Sequence, residues 1–136
     1  VPAWPPGERR RKVLVEVPGR RWSGEHAAES ADLAVAMCTG PAGRHRHGCP
    51  VLSGGTSDLA QDADAIVMLL DPADEVGRRL VEAHRHNAPG TPVFVRHSTG
   101  SELPADGRCH ELVGDGAEAV EQILAVIGHP PADRHR

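Results

Sequence analysis

The chain has 136 residues, a formal net charge of -4 at pH 7 and three cysteines. This length suits one domain with a continuous core, and the negative charge argues against nucleic-acid binding, which requires a basic surface. Its apolar segments fall short of the roughly 18 residues of a membrane-spanning helix, and the N-terminus lacks the apolar core expected of a secretory signal. An odd number of scattered cysteines is not typical of a disulfide framework. We therefore expect a cytoplasmic protein without membrane contact.

The first part of the chain predicts an arm, a strand and a helix. Residues 1–11 contain three prolines and three consecutive arginines with little to bury, so we expect a disordered or loosely docked N-terminal arm. The segment KVLVEV at 12–17 becomes apolar before a Pro-Gly pair, as expected of a central strand. Ser23 is an N-cap residue type, and small apolar residues at helical spacing predict a helix from there to about Cys38.

Two short elements are predicted next. A polar loop at 39–48 leads to a second strand at 49–53. Ser57 then caps a brief helical turn that extends to Gln61.

Residues 62–96 form one strand, helix, strand unit in this prediction. An apolar run at 65–70 is followed by helical spacing of apolar residues at 75–87, and a β-branched run at 91–95 comes after a Pro-Gly break. Because both runs are too short for core helices and the loops are short, two parallel strands joined by a crossover helix are the economical interpretation.

The C-terminal part completes the predicted domain. A strand at 109–113 precedes a helix at 117–127, after which residues 130–136 are expected to fray. One domain therefore spans 12–129. Five short strands alternating with helices predict a three-layer, flavodoxin-like α/β fold with a parallel five-stranded sheet in the order 2-1-3-4-5.

Such a fold predicts where a ligand binds. In open parallel sheets, ligands bind beyond the carboxyl ends of the strands, near the reversal in strand order. Two loops there, SGGTS at 53–57 and RHSTGS at 96–101, combine glycines and hydroxyls that suit either anion binding or simple turns. Neither loop has the glycine spacing or the lysine of a nucleotide fingerprint.

The segment ADAIVMLLDPADEVGRRLVEAHRHNAPGTPVFV resembles the core of the nucleoside 2-deoxyribosyltransferase family, in which a strand ending in Asp leads to a helix bearing the catalytic Glu. The resemblance implies an enzyme that cleaves or transfers the N-glycosidic bond of a nucleoside or nucleotide. It implies Glu82 as the catalytic residue and Asp71 or Asp74 as the ribose-binding acid. Toll/interleukin-receptor-like domains that cleave NAD are similar in their element order and act on the same kind of bond.

The first strand and its loop resemble the same family. VEVPGRRW is similar to the family's strand, turn and aromatic residue, which implies substrate contacts at Gly19 and a base-stacking role for Trp22. Ser98 is a further substrate-binding candidate in the 96–101 loop. Trp22 has a second interpretation, in which it only covers the first helix.

The sequence leaves the role of Glu82 open as well. Glu82 lies nearly opposite the apolar face of its predicted helix and four residues after Arg78, a spacing typical of a solvated ladder of ion pairs. The alternative function is accordingly a non-catalytic module of the same fold that binds a nucleotide or a partner protein. A receiver-type signalling domain is disfavoured, since the acids and lysine of that class are missing.

Histidines and cysteines in one loop suggest metal ligands, but a site is not expected. His45, His47 and Cys49, with Cys38 nearby, are zinc-ligand types, yet the chain lacks a second clear ligand pair and repeats the His-Arg-His triplet at 84–86. We expect no metal and no cofactor. The expected partner is a small nucleoside or nucleotide, and a homo-oligomer is left open.

Overall fold

The computed structural model describes residues 4–16, 22–38, 58–69, 75–95, 109–112 and 116–128. Within these ranges the chain alternates strands and helices. The elements in chain order are β1 (Arg11–Glu16), α1 (Glu25–Ser30), β2 (Leu33–Cys38), α2 (Asp58–Gln61), β3 (Ala65–Met68), α3 (Glu75–Asn87), β4 (Val93–Val95), β5 (Cys109–Glu111) and α4 (Ala117–Ile127).

The five strands form one parallel sheet with the order β2-β1-β3-β4-β5. This confirms the predicted flavodoxin-like α/β fold and its strand order. The chain passes from β1 outward to β2 and then returns to the other side of β1, so the order reverses between β1 and β3. Ligands bind near this reversal in open parallel sheets.

The identity of the second strand was predicted wrongly. The expected helix from Ser23 to Cys38 ends at Ser30, and β2 (Leu33–Cys38) pairs along the whole of β1. Asp32 has a φ of 65°, which breaks the helical course and turns the chain into the strand. The predicted strand at 49–53 lies outside the described residues.

Two apolar layers cover the sheet, one on each face. The α1–α4 core joins side chains of β1, β3 and β4 to helices α1 and α4 and contains Val13, Val15, Val67, Phe94, Ala28 and Ile123. The α2–α3 core lies on the other face and contains Leu14, Ile66, Met68, Leu80, Val81 and Val93. Successive β1 residues thus alternate between the cores, as a strand requires, and each fully buried aliphatic side chain contributes about 1.5–3 kcal/mol.

Residues 4–10 belong to the segment that we expected to form a disordered or loosely docked arm. Trp4 packs against the α2–α3 core, and the Arg10 side chain donates hydrogen bonds to Glu8 at 2.9 and 2.8 Å. At the start of β1, the backbone N–H of Lys12 donates to Asp64 Oδ2 at 2.7 Å. Packing of Trp4 and these hydrogen bonds order the segment before β1. The run of arginines in the sequence did not indicate either contribution.

Within the described residues, the helices are too short or too polar to cross a membrane.

Candidate functional site

The carboxyl end of β1 is the centre of the candidate site. Glu16 is the last residue of β1, and it lies level with Met68 of β3, which is level in turn with Val95 of β4. These three residues therefore lie side by side across the sheet, and Glu16 and Met68 lie on the two strands where the strand order reverses. Glu16 is the charged side chain that β1 places there.

Glu16 is buried against His84 of α3. Strand alternation directs its side chain to the same face as Leu14, the face that α3 covers. His84 Nε2 lies 2.6 Å from Glu16 Oε1, and the two side chains are only 1% and 5% exposed for His84 and Glu16 respectively. At this distance the two atoms form a hydrogen bond, which Nε2 donates when Glu16 is a carboxylate.

Helical spacing explains why His84 reaches the sheet. Gly77, Leu80, Val81 and His84 are all buried and follow one another at intervals of three, one and three residues. These positions share one face of an α-helix, so His84 extends the apolar stripe that holds α3 on the sheet. The crossover from β3 to β4 thus delivers a histidine to a strand 68 residues earlier in the chain.

The second oxygen of the Glu16 carboxyl group is unsatisfied. Oε2 is buried and has no hydrogen-bond partner among the residues that the structure describes, while Oε1 contacts His84. A buried polar atom left in this state costs about 1–3 kcal/mol, and more when the group is charged. Buried polar atoms are otherwise nearly always satisfied, so the free oxygen is a site where a donor would be bound favourably.

Glu82, the catalytic residue implied by the family resemblance, lies on the outer face of α3. Its side chain is 59% exposed, and Arg78 Nη1 lies 3.4 Å from Glu82 Oε1. Because Glu82 precedes His84 by two residues, the two side chains are about 200° apart around the helix. The structure therefore does not bring Glu82 together with Glu16.

Trp22 lies in the α1–α4 core and is 4% exposed. Its indole ring packs on Gly24, where an added Cβ would come within 2.5 Å of the ring. The surroundings of Trp22 are those of a core residue beside the first helix, which is the second of its two interpretations.

The remaining candidates lie outside the described residues. They are Gly19, Asp71, Asp74 and Ser98, together with the zinc candidates His45, His47 and Cys49. Across the described part of the chain, no group of three or more His, Cys, Asp or Glu side chains is arranged to hold a metal ion.

No protein-family model matches the chain, and no curated protein matches it at a significant level. The fold and the Glu16–His84 pair are therefore the basis for assigning a function.

Sequence reasoning missed both members of this pair, although signals for them exist. Glu16 interrupts the apolar run of KVLVEV, and alternation places it on the same face as Leu14. His84 follows Leu80 by four residues, which places it on the buried stripe of α3. A charged residue at the end of a central strand and a histidine on the covering helix are together a signal for a buried polar pair.

Proposed function

We propose that this protein binds a nucleoside or nucleotide at the carboxyl edge of β1 and β3 and cleaves or transfers its N-glycosidic bond. The observation that carries the proposal is the position of Glu16, buried at the carboxyl end of β1 beside the reversal in strand order. Ligands of parallel sheets bind at this place. The resemblance of residues 63–95 to the deoxyribosyltransferase core supports the ligand class.

The proposed reaction needs a carboxylate. When the bond between the sugar carbon and the base nitrogen breaks, positive charge develops on the sugar, and a carboxylate either bonds to that carbon or stabilises it electrostatically. Water or a second base then forms the new bond to carbon and loses a proton, while the departing base takes up a proton, so the overall reaction balances. Through the resemblance the candidate for this role is Glu82, whose side chain lies exposed on the outer face of α3 and not beside Glu16, so its part in the chemistry is tested separately from binding at the carboxyl edge.

A second candidate function is a non-catalytic module that binds the same class of ligand. The exposed Glu82 and its contact with Arg78 favour it, since a solvated surface ion pair needs no catalytic explanation. Both candidates use the carboxyl edge of the sheet as the binding site. They differ only in whether bound ligand is converted.

Release of free base distinguishes the two candidates. The full chain is incubated with a panel of nucleosides, nucleotides and NAD, and free base and bound ligand are both measured. If Glu82 supplies the carboxylate, Glu82→Gln should lower turnover by about two orders of magnitude or more, because shape is kept while the charge is lost.

The matched control is Glu121→Gln, an equivalent change at an exposed position of α4. Glu82→Gln should change the free energy of unfolding by less than about 0.5 kcal/mol, so lost turnover is not lost folding. Turnover equal in both variants would remove Glu82 from the chemistry. Binding without any base release would favour the non-catalytic module, and absence of binding would contradict both candidates.

A further inference from the structure

The starting observation is the incomplete hydrogen bonding of Glu16. Its Oε1 contacts His84 Nε2 at 2.6 Å, while its Oε2 is buried and finds no partner within the described part of the chain. The described neighbours on this face of the sheet include Leu14, Met68 and Val95, whose side chains are aliphatic or a thioether and have no donor to offer. Among the described residues, none donates a hydrogen bond to Oε2.

The second observation is the place of this oxygen in the fold. Glu16 ends β1 at the level of Met68, beside the reversal in strand order where α/β sheets bind ligands. An unsatisfied acceptor in a remote part of the core would have no such explanation. Here the acceptor and the expected ligand position coincide.

The third observation is that His84 holds the carboxyl group in one orientation. His84 is 1% exposed and belongs to the buried stripe of α3, so its ring is held by packing. A short hydrogen bond from this ring to Oε1 leaves Oε2 as the acceptor that lacks a donor among the described residues. His84 acts through Glu16 and is a positioning residue.

We infer that Glu16 Oε2 is a ligand-contacting acceptor, oriented by His84, for an uncharged hydrogen-bond donor of the bound nucleoside. A ribose hydroxyl or an exocyclic amine of the base has this chemistry, and neither brings a net charge into a buried site. The inference rests on the proposed function and identifies the contact by which the ligand is recognised.

Carboxyl-carbon and histidine-nitrogen NMR of the full wild-type chain tests the contact directly, with adenosine as the probe. Saturating adenosine should shift the Glu16 carboxyl resonance and the His84 Nε2 resonance, while the carboxyl resonance of the exposed Glu121 stays in place. A purely structural pair would not respond to the ligand. This measurement does not depend on a variant that must fold.

Affinity measurements provide the second readout. Glu16→Gln removes the charge at nearly constant shape and should weaken adenosine binding about tenfold or more, against no change for Glu121→Gln. Purine riboside lacks the exocyclic amine, and the 2′-, 3′- and 5′-deoxyadenosines each lack one hydroxyl. The analogue that lacks the donor contacting Oε2 should bind to the wild type and to Glu16→Gln with equal affinity.

The outcomes separate this inference from the proposed function. If adenosine binds but the Glu16 resonance stays in place, the contact is overturned while the proposed function stands. If every analogue still binds the wild type more tightly than Glu16→Gln by the same factor as adenosine does, none of these donors contacts Oε2. The inference is then overturned as well. If no nucleoside, nucleotide or NAD binds the wild-type chain, both fail together.

Discussion

Glu16 and His84 lie between the sheet and α3, where either side chain alone would be costly to bury. Their contact at 2.6 Å satisfies one oxygen of Glu16 and one nitrogen of His84. Removing one partner of a buried polar pair leaves the other uncompensated, whereas replacing both by apolar groups of similar volume is often tolerated. The pair therefore stabilises the fold only while both partners are present.

We expect His84→Leu to lower the free energy of unfolding by about 3–5 kcal/mol, because Glu16 is then left buried without a partner. The double variant Glu16→Leu/His84→Leu should recover most of this loss. Urea denaturation of the wild type, both single variants and the double variant measures the coupling. A loss under about 1 kcal/mol for His84→Leu would mean that the pair is solvated.

Gly24 is constrained by the buried ring of Trp22. A Cβ at this position would lie 2.5 Å from Cζ2 and 2.6 Å from Cε2 of the indole, closer than carbon atoms approach. Because Trp22 is buried, its ring has little room to move, and Gly24→Ala should cost about 1–3 kcal/mol by overpacking.

The control for this prediction is Gly90→Ala, since a Cβ at Gly90 meets no atom within 4 Å. Thermal denaturation of both variants gives the comparison. Equal melting temperatures would show that the Trp22 ring shifts to accommodate the methyl group.

At the scale of elements, the turn from α1 into β2 depends on Asp32. The backbone N–H of Asp32 donates to Glu29 O at 3.0 Å, and its φ of 65° then directs the chain into the strand. Asp and Asn tolerate this left-handed region, whereas β-branched residues do not. The end of α1 and the start of β2 therefore both depend on a residue at position 32 that tolerates positive φ.

We expect Asp32→Val to lower the free energy of unfolding by about 1–2 kcal/mol through backbone strain. Asp32→Asn keeps the tolerance for positive φ and should remain within about 0.5 kcal/mol of wild type. Chemical denaturation of the two variants separates strain from loss of charge. A valine variant as stable as the asparagine variant would contradict the role of this turn.

At the scale of the whole molecule, the segment that precedes β1 is stabilised locally by the pairing of Glu8 with Arg10. Hydrogen bonds from the Arg10 side chain and then from the Arg10 backbone N–H lower the pKa of Glu8 from 4.5 to about 2. A carboxyl group whose pKa is lower in the folded chain stabilises that chain in its ionised form. This contribution is present in full above pH 4.5 and is lost as the pH falls towards 2.

We therefore expect the stability of wild type and Glu8→Gln to converge as the pH is lowered from 4.5 towards 2. The free energy of unfolding is measured for both chains across this interval. Glu121→Gln is the control for a carboxylate removed elsewhere. A stability difference that stays constant with pH would show that the Glu8 carboxylate is not stabilised by Arg10.

The sequence by itself determined the fold class. The period of the apolar residues changes from strand to helix and back across residues 62–96, and short loops leave little choice but a parallel crossover. Local periodicity also placed α3, β4 and α4 near their observed positions. It determined less about β2, because the small apolar residues at 33–38 fit a helix as well as a strand.

Only the tertiary structure decided the assignment of β2 and the composition of the candidate site. Leu33–Cys38 becomes a strand because β1 offers a free edge along its whole length, and such pairing is not a local property. Likewise, residues 16 and 84 are 68 positions apart, and they meet only because the sheet places β1 beneath the buried stripe of α3. The phase of that helix buries His84 and exposes Glu82, and it depends on how α3 packs against the sheet.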